Sequence, residues 1–387
     1  MDPVYLDHAA ATPLRPEVRE AMEPLRAGLV GNASSVHRWG RLARATLEGA
    51  RERCAVLLGV RPDELHFTRG GTEANNLAIL GRAAWARASG HPTPGFARSA
   101  VEHSAVREPL ESLAAQGCRV DILSVRPDAT LSLPPREALT DGVLSLVSVQ
   151  WVNQETGMVL PVAHVAERCR EAGIPLHVDA AQAAGRVGMD LQRVPVSLLS
   201  LSGHKLGGPR STGLLAVRRD TEIRPVLFGG GQEGGLRPGT EDVAGAVGFA
   251  VALEVAVGQL ETEAARLTAL RDRLEEGLVE NIPGIRVHGK DAPRAPHILG
   301  VGVPGLFRDV LPAALDLEGV GASAGSACRS GSTEVSPVLA ALYGADAAGF
   351  APLRLSLGWT TTERDIEAAT PRIVEVVARM AEVGGRA

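Results

Sequence analysis

Four short apolar runs in this 387-residue chain each end in groups able to do chemistry. HVDAAQ (177–182) delivers the Asp179 carboxylate with Gln182 close behind, and SLSGHKLGGP (200–209) delivers Ser202, His204 and Lys205 among small residues. ELHFT (64–68) leads into Gly70, Gly71 and Thr72, and VLSLVSVQWV (143–152) leads into Asn153, Gln154 and Glu155. Singly, each is ordinary loop chemistry: a lysine is usually solvated, and Thr72 could simply cap a helix. In open α/β sheets, however, ligands sit beyond the carboxyl ends of the strands, so four such ends point to one site. A lysine amine can form an imine with an aldehyde, and a carboxylate at a strand end can hold a pyridine nitrogen protonated. A Gly-Thr pair opening a helix offers N–H groups and a hydroxyl to a phosphate. Pyridoxal 5'-phosphate needs those three parts, and Ser202 and His204 would add phosphate donors.

The elements that must carry these groups alternate from about residue 15 to 255. Residues 41–59 read as a helix stopped by Gly59, GGT opens another, and 162–173 form an amphipathic helix closed by Gly173. Near-continuous apolar strands separated by helices predict a mostly parallel sheet covered on both faces. A long helical stretch, 244–278, is expected to end one domain and begin the next. Strand patterns at 297–303 and 353–358, with helical ones at 308–319 and 363–383, then predict a smaller α+β unit. The expected division is a large α/β domain over 15–255 and a small α+β domain from 1–14 and 256–387.

Composition narrows the class. Net charge is −5 and no basic stripe interleaves with aromatics, which argues against direct nucleic-acid binding. There is no uninterrupted apolar run of about 18 residues, so no membrane span is predicted. Cys54, Cys118, Cys169 and Cys328 are scattered without a CxxC pair. A disulfide framework or a metal site is not expected, and a reducing cytoplasm fits. The first three cysteines lie in helix- or strand-like contexts and read as small buried hydrophobes. Cys328 instead lies in GASAGSACRSGS (321–332), a run of small residues between a strand expected at LEGV (317–320) and a helix from Ser336. Such a run predicts a mobile loop, which suits a thiol that must visit a substrate and then an acceptor.

HVDAAQ and SLSGHKLGGP together resemble the signature of the class V aminotransferase-like, fold-type I pyridoxal-phosphate enzymes. The resemblance extends through YLDHAAATPL (5–14), GNASSVHRWG (31–40), FTRGGTEANNLAI (67–79), VEHSAV (101–106), VNQETG (152–157), GGGQEGGLRPGT (229–240), SAGSACRSGS (323–332) and LRLSLG (353–358). In that order the blocks are similar to those of a cysteine desulfurase, and the small-residue run around Cys328 resembles the branch with a long cysteine loop. The resemblance implies Lys205 as the Schiff-base lysine and proton shuttle, Asp179 as partner of the pyridinium and His103 stacked on the ring. It implies Gln182 on the phenolic oxygen, and Gly71, Thr72, Ser202 and His204 at the phosphate. Thr240 would complete the phosphate cup from a second subunit, so a homodimer is implied. Arg354 would clamp the substrate carboxylate with Asn32 nearby. Either Asn153 or Gln154 would meet the cofactor, because VNQETG carries Gln154 where the family more often reads Asn-Asn. GGTE replaces the usual GATE, and Arg329 follows Cys328 where a small hydroxyl residue is common.

The implied reaction converts L-cysteine to L-alanine and leaves a persulfide on Cys328, with Arg329 or His103 available to favour the thiolate. The sulfur would pass to an acceptor protein, an iron–sulfur scaffold or a tRNA-thiolation enzyme. A plain aminotransferase would need no such thiol, and an idle sulfur carrier would have little use for Lys205 and Asp179. Residue types alone leave a selenocysteine lyase open.

Overall fold

The computed structural model describes residues 2–133, 144–306, 310–325 and 335–384. The apolar runs of the first two-thirds assemble into one seven-stranded sheet: β2 (Leu65–Thr68), β3 (Gly95–Ser99), β4 (Val120–Leu123), β5 (Leu144–Gln150), β6 (Leu176–Asp179), β7 (Leu198–Ser202) and β8 (Gly213–Val217). Their spatial order is β2-β8-β7-β6-β5-β3-β4. The neighbours from β7 to β4 pair in parallel, whereas β8 runs antiparallel to both β7 and β2. Two reversals cancel, so β2 points the same way as β7 and its end reaches the same sheet edge.

Alternation along the strands feeds two cores, as the period-2 geometry of a strand requires. Leu146, Leu198 and Leu215 face the helices α3 (Gly71–Ala88) and α4 (Ser104–Ala115). Val147, Val149, Val178, Leu199 and Leu214 face the other way, toward α2 (Arg38–Leu58), α5 (Val162–Ala172) and α6 (Val243–Gly258). The helix stops read from the sequence hold: Gly59 and Gly173 adopt φ of 67° and 69° as left-handed caps. α1 (Pro16–Gly28) packs on α6.

The stretch 244–278 is not one helix. It breaks at Gln259 into α6 and α7 (Leu260–Asn281), bent by 72°. The break follows from burial: α6 is apolar on nearly every face and sits inside the core it shares with α2 and α5, whereas α7 commits Leu267, Leu270, Leu274 and Leu278 to a third one. Among the described residues no single helix is long and apolar enough to cross a membrane.

That third core lies under an antiparallel sheet ordered β12 (Phe350–Ser356), β10 (Ile298–Pro304), β9 (Arg286–Val287). A short parallel pair, β1 (Val4–Tyr5) with β11 (Val320–Gly321), and the helices α8 (Leu311–Leu317) and α10 (Glu363–Gly384) complete it. The strand expected over 317–320 is shorter than read, because Leu317 ends α8 and Gly319 turns the chain at φ 74° before β11 begins. α9 (Pro337–Tyr343) starts where expected, with the Ser336 side chain accepting from the N–H groups of Val338 and Leu339.

Candidate active site

A cavity of about 350 Å³ opens at the carboxyl edge of the central sheet. Its wall includes Gly71 and Thr72 beyond β2, Gln154 beyond β5, Asp179 and Gln182 from β6, and Ser202, His204 and Lys205 from β7. His103, from the loop after β3, and Arg354, from β12 of the other sheet, also line it.

The N-terminal segment forms the lysine's surroundings. Lys205 Nζ donates to the carbonyls of Ala9 (2.5 Å) and Ala10 (2.7 Å). The main chain is tied down too, since Thr12 N–H donates to the His204 carbonyl and Arg15 N–H to that of Gly207. Gly207 has φ 79° and a Cβ there would stand 2.8 Å from the Arg15 side chain, so this turn requires glycine. Gln182 Nε2 donates to the Ala9 carbonyl at 2.9 Å, which leaves its oxygen to accept from His297 Nε2 at 3.2 Å.

Asp179 is held at both oxygens. Asn75 Nδ2 donates to Oδ2 at 2.7 Å and the Ala181 N–H to Oδ1 at 3.0 Å. Two residues earlier on the same face, His177 bridges Ser148 Oγ (2.7 Å) and Ser200 Oγ (3.0 Å), crossing β5, β6 and β7. Complete burial lowers the His177 pKa to about 4, so the bridge is neutral at neutral pH. Below the sheet edge Glu102 accepts from Ser99 Oγ and from Gln150 N–H (2.9 Å). Burial pushes its carboxyl up to about 8, with the nearby Asp179 charge acting in the same direction.

The opposite end of the cavity is built to take an anion. α3 begins at Gly71 without a side-chain cap on Gly70 (φ 133°), so its first N–H groups carry no such partner. Gly71 lies against Ser202, where a Cβ would come within 3.3 Å of the serine side chain. Ser202 Oγ and His204 Nδ1 share a hydrogen bond of 3.0 Å, and burial beside Lys205 lowers the His204 pKa to about 4. At the side of the cavity His103 Nδ1 accepts from Ala105 N–H at 3.0 Å and caps α4, which puts the ring proton on Nε2.

Arg354 enters from β12 only 2% exposed. Nη2 donates to Asp7 at 2.8 Å and Nη1 to the Gln154 carbonyl at 3.1 Å, while Nε has no hydrogen-bond partner among the described residues. An arginine with one edge incompletely used at a cavity wall is suited to a carboxylate.

Three expected site residues stand elsewhere. Asn153 is buried and consumed by its own turn: Oδ1 accepts from Glu155 N–H, Thr156 N–H and Thr156 Oγ1, and Nδ2 donates to the Val101 carbonyl. Of the two alternatives, Gln154 therefore lines the cavity and Asn153 does not. Asn32 is exposed and accepts from Ser34 N–H, away from the cavity of its own chain. Thr240 is also exposed and does not line that cavity. Cys328 lies outside the described residues. The other cysteines are buried, and burial pushes the thiols of Cys54 and Cys169 up to about 12.

Sequence reading missed Asn75, Gln150 and the carbonyls of Ala9 and Ala10. Asn75 had a signal: on a helix opening at Gly71 it lies about one turn on, facing the same way as the helix start. The carbonyls had none, because a backbone oxygen leaves no mark in residue type.

The set fits pyridoxal phosphate on the structure's own terms. A lysine amine, a carboxylate oriented by two donors and an uncapped helix N-terminus with hydroxyl and imidazole partners share one cavity.

Comparisons agree with that chemistry. Residues 4–369 match the family model for aminotransferase class-V. The chain is 43% identical to an "IscS-like cysteine desulfurase" of Mycobacterium tuberculosis, covering 97% of this chain and 96% of that one. A solved NifS-like protein superposes with a TM-score of 0.87 at 30% identity, over 97% of this chain and all of the other. A structure of SspA in complex with cysteine matches with a TM-score of 0.76 at 29% identity, over 92% and 98% of the two chains. Strand order, cavity chemistry and near-full-length likeness agree that the chain belongs to the class-V aminotransferase family, among its cysteine desulfurases.

Proposed function

We propose that this pyridoxal-phosphate enzyme converts L-cysteine to L-alanine and carries the sulfur as a persulfide on Cys328, from which an acceptor protein collects it. The observation that carries the reading is the meeting of Lys205 and Asp179 in one cavity from adjacent strands, with Arg354 reaching it from a second sheet. When bound, the cofactor supplies an aldehyde for the substrate amine and a ring that accepts the electron pair left by Cα deprotonation.

The chain's own residues do the rest. Asp179, oriented by Asn75 and Ala181, accepts the hydrogen of the ring nitrogen. Thr72, Ser202, His204 and the α3 N-terminus hold the phosphate. Arg354 takes the substrate carboxylate with Nε and Nη2 and so fixes the direction of the Cα–H bond. Lys205 leaves the Ala9 and Ala10 carbonyls to remove the Cα proton and later return one. His103, protonated at Nε2, gives or takes a proton at the substrate sulfur side. The Cys328 thiolate then attacks the substrate sulfur: an S–S bond forms, the C–S bond breaks and its electron pair stays with the carbon that becomes the alanine methyl group.

Val30, Val36, Trp39 and Phe228 are large and exposed on the single chain, as are Asn32 and Thr240 near them in sequence. These exposed apolar side chains support the homodimer reading, in which a second copy would cover them and Thr240 would complete the partner's phosphate cup. The acceptor reading is an iron–sulfur scaffold or a tRNA-thiolation enzyme in the cytoplasm.

Purified protein should be yellow and, with L-cysteine and a thiol reductant, yield sulfide and alanine in equal amounts. Borohydride reduction should fix the cofactor on Lys205, and Lys290 is the chain's only other lysine. Cys328→Ala should stay yellow yet release almost no sulfide; full release would refute the persulfide step.

A further inference from the structure

The reaction as proposed makes no use of Glu155, although this residue of the VNQETG turn is only 4% exposed. Its carboxylate meets both flanks of residues 326–334. Downstream, Ser336 Oγ–H donates to Glu155 Oε2 at 2.5 Å, while the same Oγ accepts from Val338 N–H and Leu339 N–H at the start of α9. Upstream, Gly325 (φ 114°) lies so close that a Cβ there would stand 3.0 Å from Oε2. The neighbouring Ser323 exchanges backbone hydrogen bonds of 3.2 and 2.7 Å with Arg354. Arg354 in turn donates to the carbonyl of Gln154, the cavity residue that precedes Glu155.

We infer that Glu155 is a positioning residue for sulfur transfer: its carboxylate holds Gly325 and Ser336 together beside the cavity, and so fixes where the segment bearing Cys328 leaves and rejoins the fold. This rests on the reading of Cys328 as the persulfide carrier. Chain length makes the anchor matter. Cys328 is three residues beyond Gly325 in sequence, so whatever holds that glycine bears on the start of the segment that carries the thiol. A carboxylate suits the task because it accepts from the serine without having to donate, and its oxygen is compact enough to lie against a glycine. Burial raises the Glu155 pKa, and the Ser336 hydrogen bond and the Arg354 charge oppose that rise.

Ser336 separates anchoring from helix capping. Ser336→Asp keeps an acceptor able to cap α9 but has no hydroxyl to donate and sets a second carboxylate against Glu155. Ser336→Thr keeps both functions. Gly325→Ala probes the other flank by pressing a methyl group on the carboxylate. Two rates are compared in each holoenzyme: single-turnover persulfide loading of Cys328 from L-cysteine, read by peptide mass, and entry of solvent deuterium at Cα of L-alanine. The second needs Lys205 and the cofactor but no thiol. Ser336→Asp and Gly325→Ala should load at least tenfold more slowly, Ser336→Thr within about twofold of the parent, and all three should exchange deuterium at the parent rate. Equal loading in the Asp and Thr variants, or exchange falling in step with loading, overturns the anchor. A Cys328→Ala protein that releases sulfide fully would instead remove the persulfide reading beneath it, so the two failures are distinct.

Discussion

Replacing Glu102 by glutamine exchanges a buried acid for its neutral isostere and should change how stability depends on pH. Glu102 is 2% exposed between β3 and α4, and burial pushes its carboxyl from 4.5 in the unfolded chain to about 8 in the fold. Over that interval the folded chain keeps a proton that the unfolded chain has released, so stability falls as pH rises. At about 1.4 kcal/mol per pKa unit, the whole interval is worth on the order of 5 kcal/mol. Glutamine has no proton to lose, and its oxygen can still accept from Gln150 N–H and Ser99 Oγ, as Glu102 does. The stability of Glu102→Gln relative to the parent should therefore climb by about 1.4 kcal/mol per pH unit between about pH 5 and pH 8. Urea unfolding of both holoenzymes across that range measures the difference directly and cancels the titration of every other group. A difference that does not change with pH would refute the reasoning.

Three more expectations follow from buried charge and geometry. Burial lowers the pKa values of His8, His177 and His204 to about 4, below 6.5 in the unfolded chain. Their neutral forms stabilise the fold fully above about pH 6.5, and that stability is lost as pH falls toward 4, so melting temperature should drop across this interval. Glu233→Ala removes the carboxylate that holds Arg51 by two hydrogen bonds of 2.7 and 2.9 Å and leaves a guanidinium buried without it. Denaturant unfolding should report a loss of about 3–5 kcal/mol, and replacing both by Arg51→Met with Glu233→Leu should cost less. Arg354→Lys cannot offer two parallel N–H groups to a carboxylate, so KM for L-cysteine should rise about tenfold or more while the cofactor spectrum is unchanged.

Much of the architecture was legible because its signals are local. Gly59 and Gly173 stop helices by taking a left-handed φ, and Val- and Leu-rich runs become strands because both faces of the sheet are covered. The break at Gln259 was not read, although Gly258 directly before it is a weak helix former, because the apolar pattern runs on across it and burial in two separate cores sets the bend. Asn153 and Gln154 were indistinguishable for a similar reason. Both are amides beyond β5, and the choice depends on a turn in which Asn153 caps the N–H groups of Glu155 and Thr156.

The chemical groups themselves, Lys205, Asp179, Thr72 and Arg354, are written in the residue types and in what precedes each of them. Their convergence is not. Gly71 reaches Ser202 because two antiparallel pairings turn β2 parallel to β7, and Lys205 is held by carbonyls nearly two hundred residues away. Neighbouring residues determine what a short segment prefers, through propensity and steric limits on the backbone. Which distant segments meet is set by burial and strand pairing across the whole chain, and the active-site cavity is a product of that pairing.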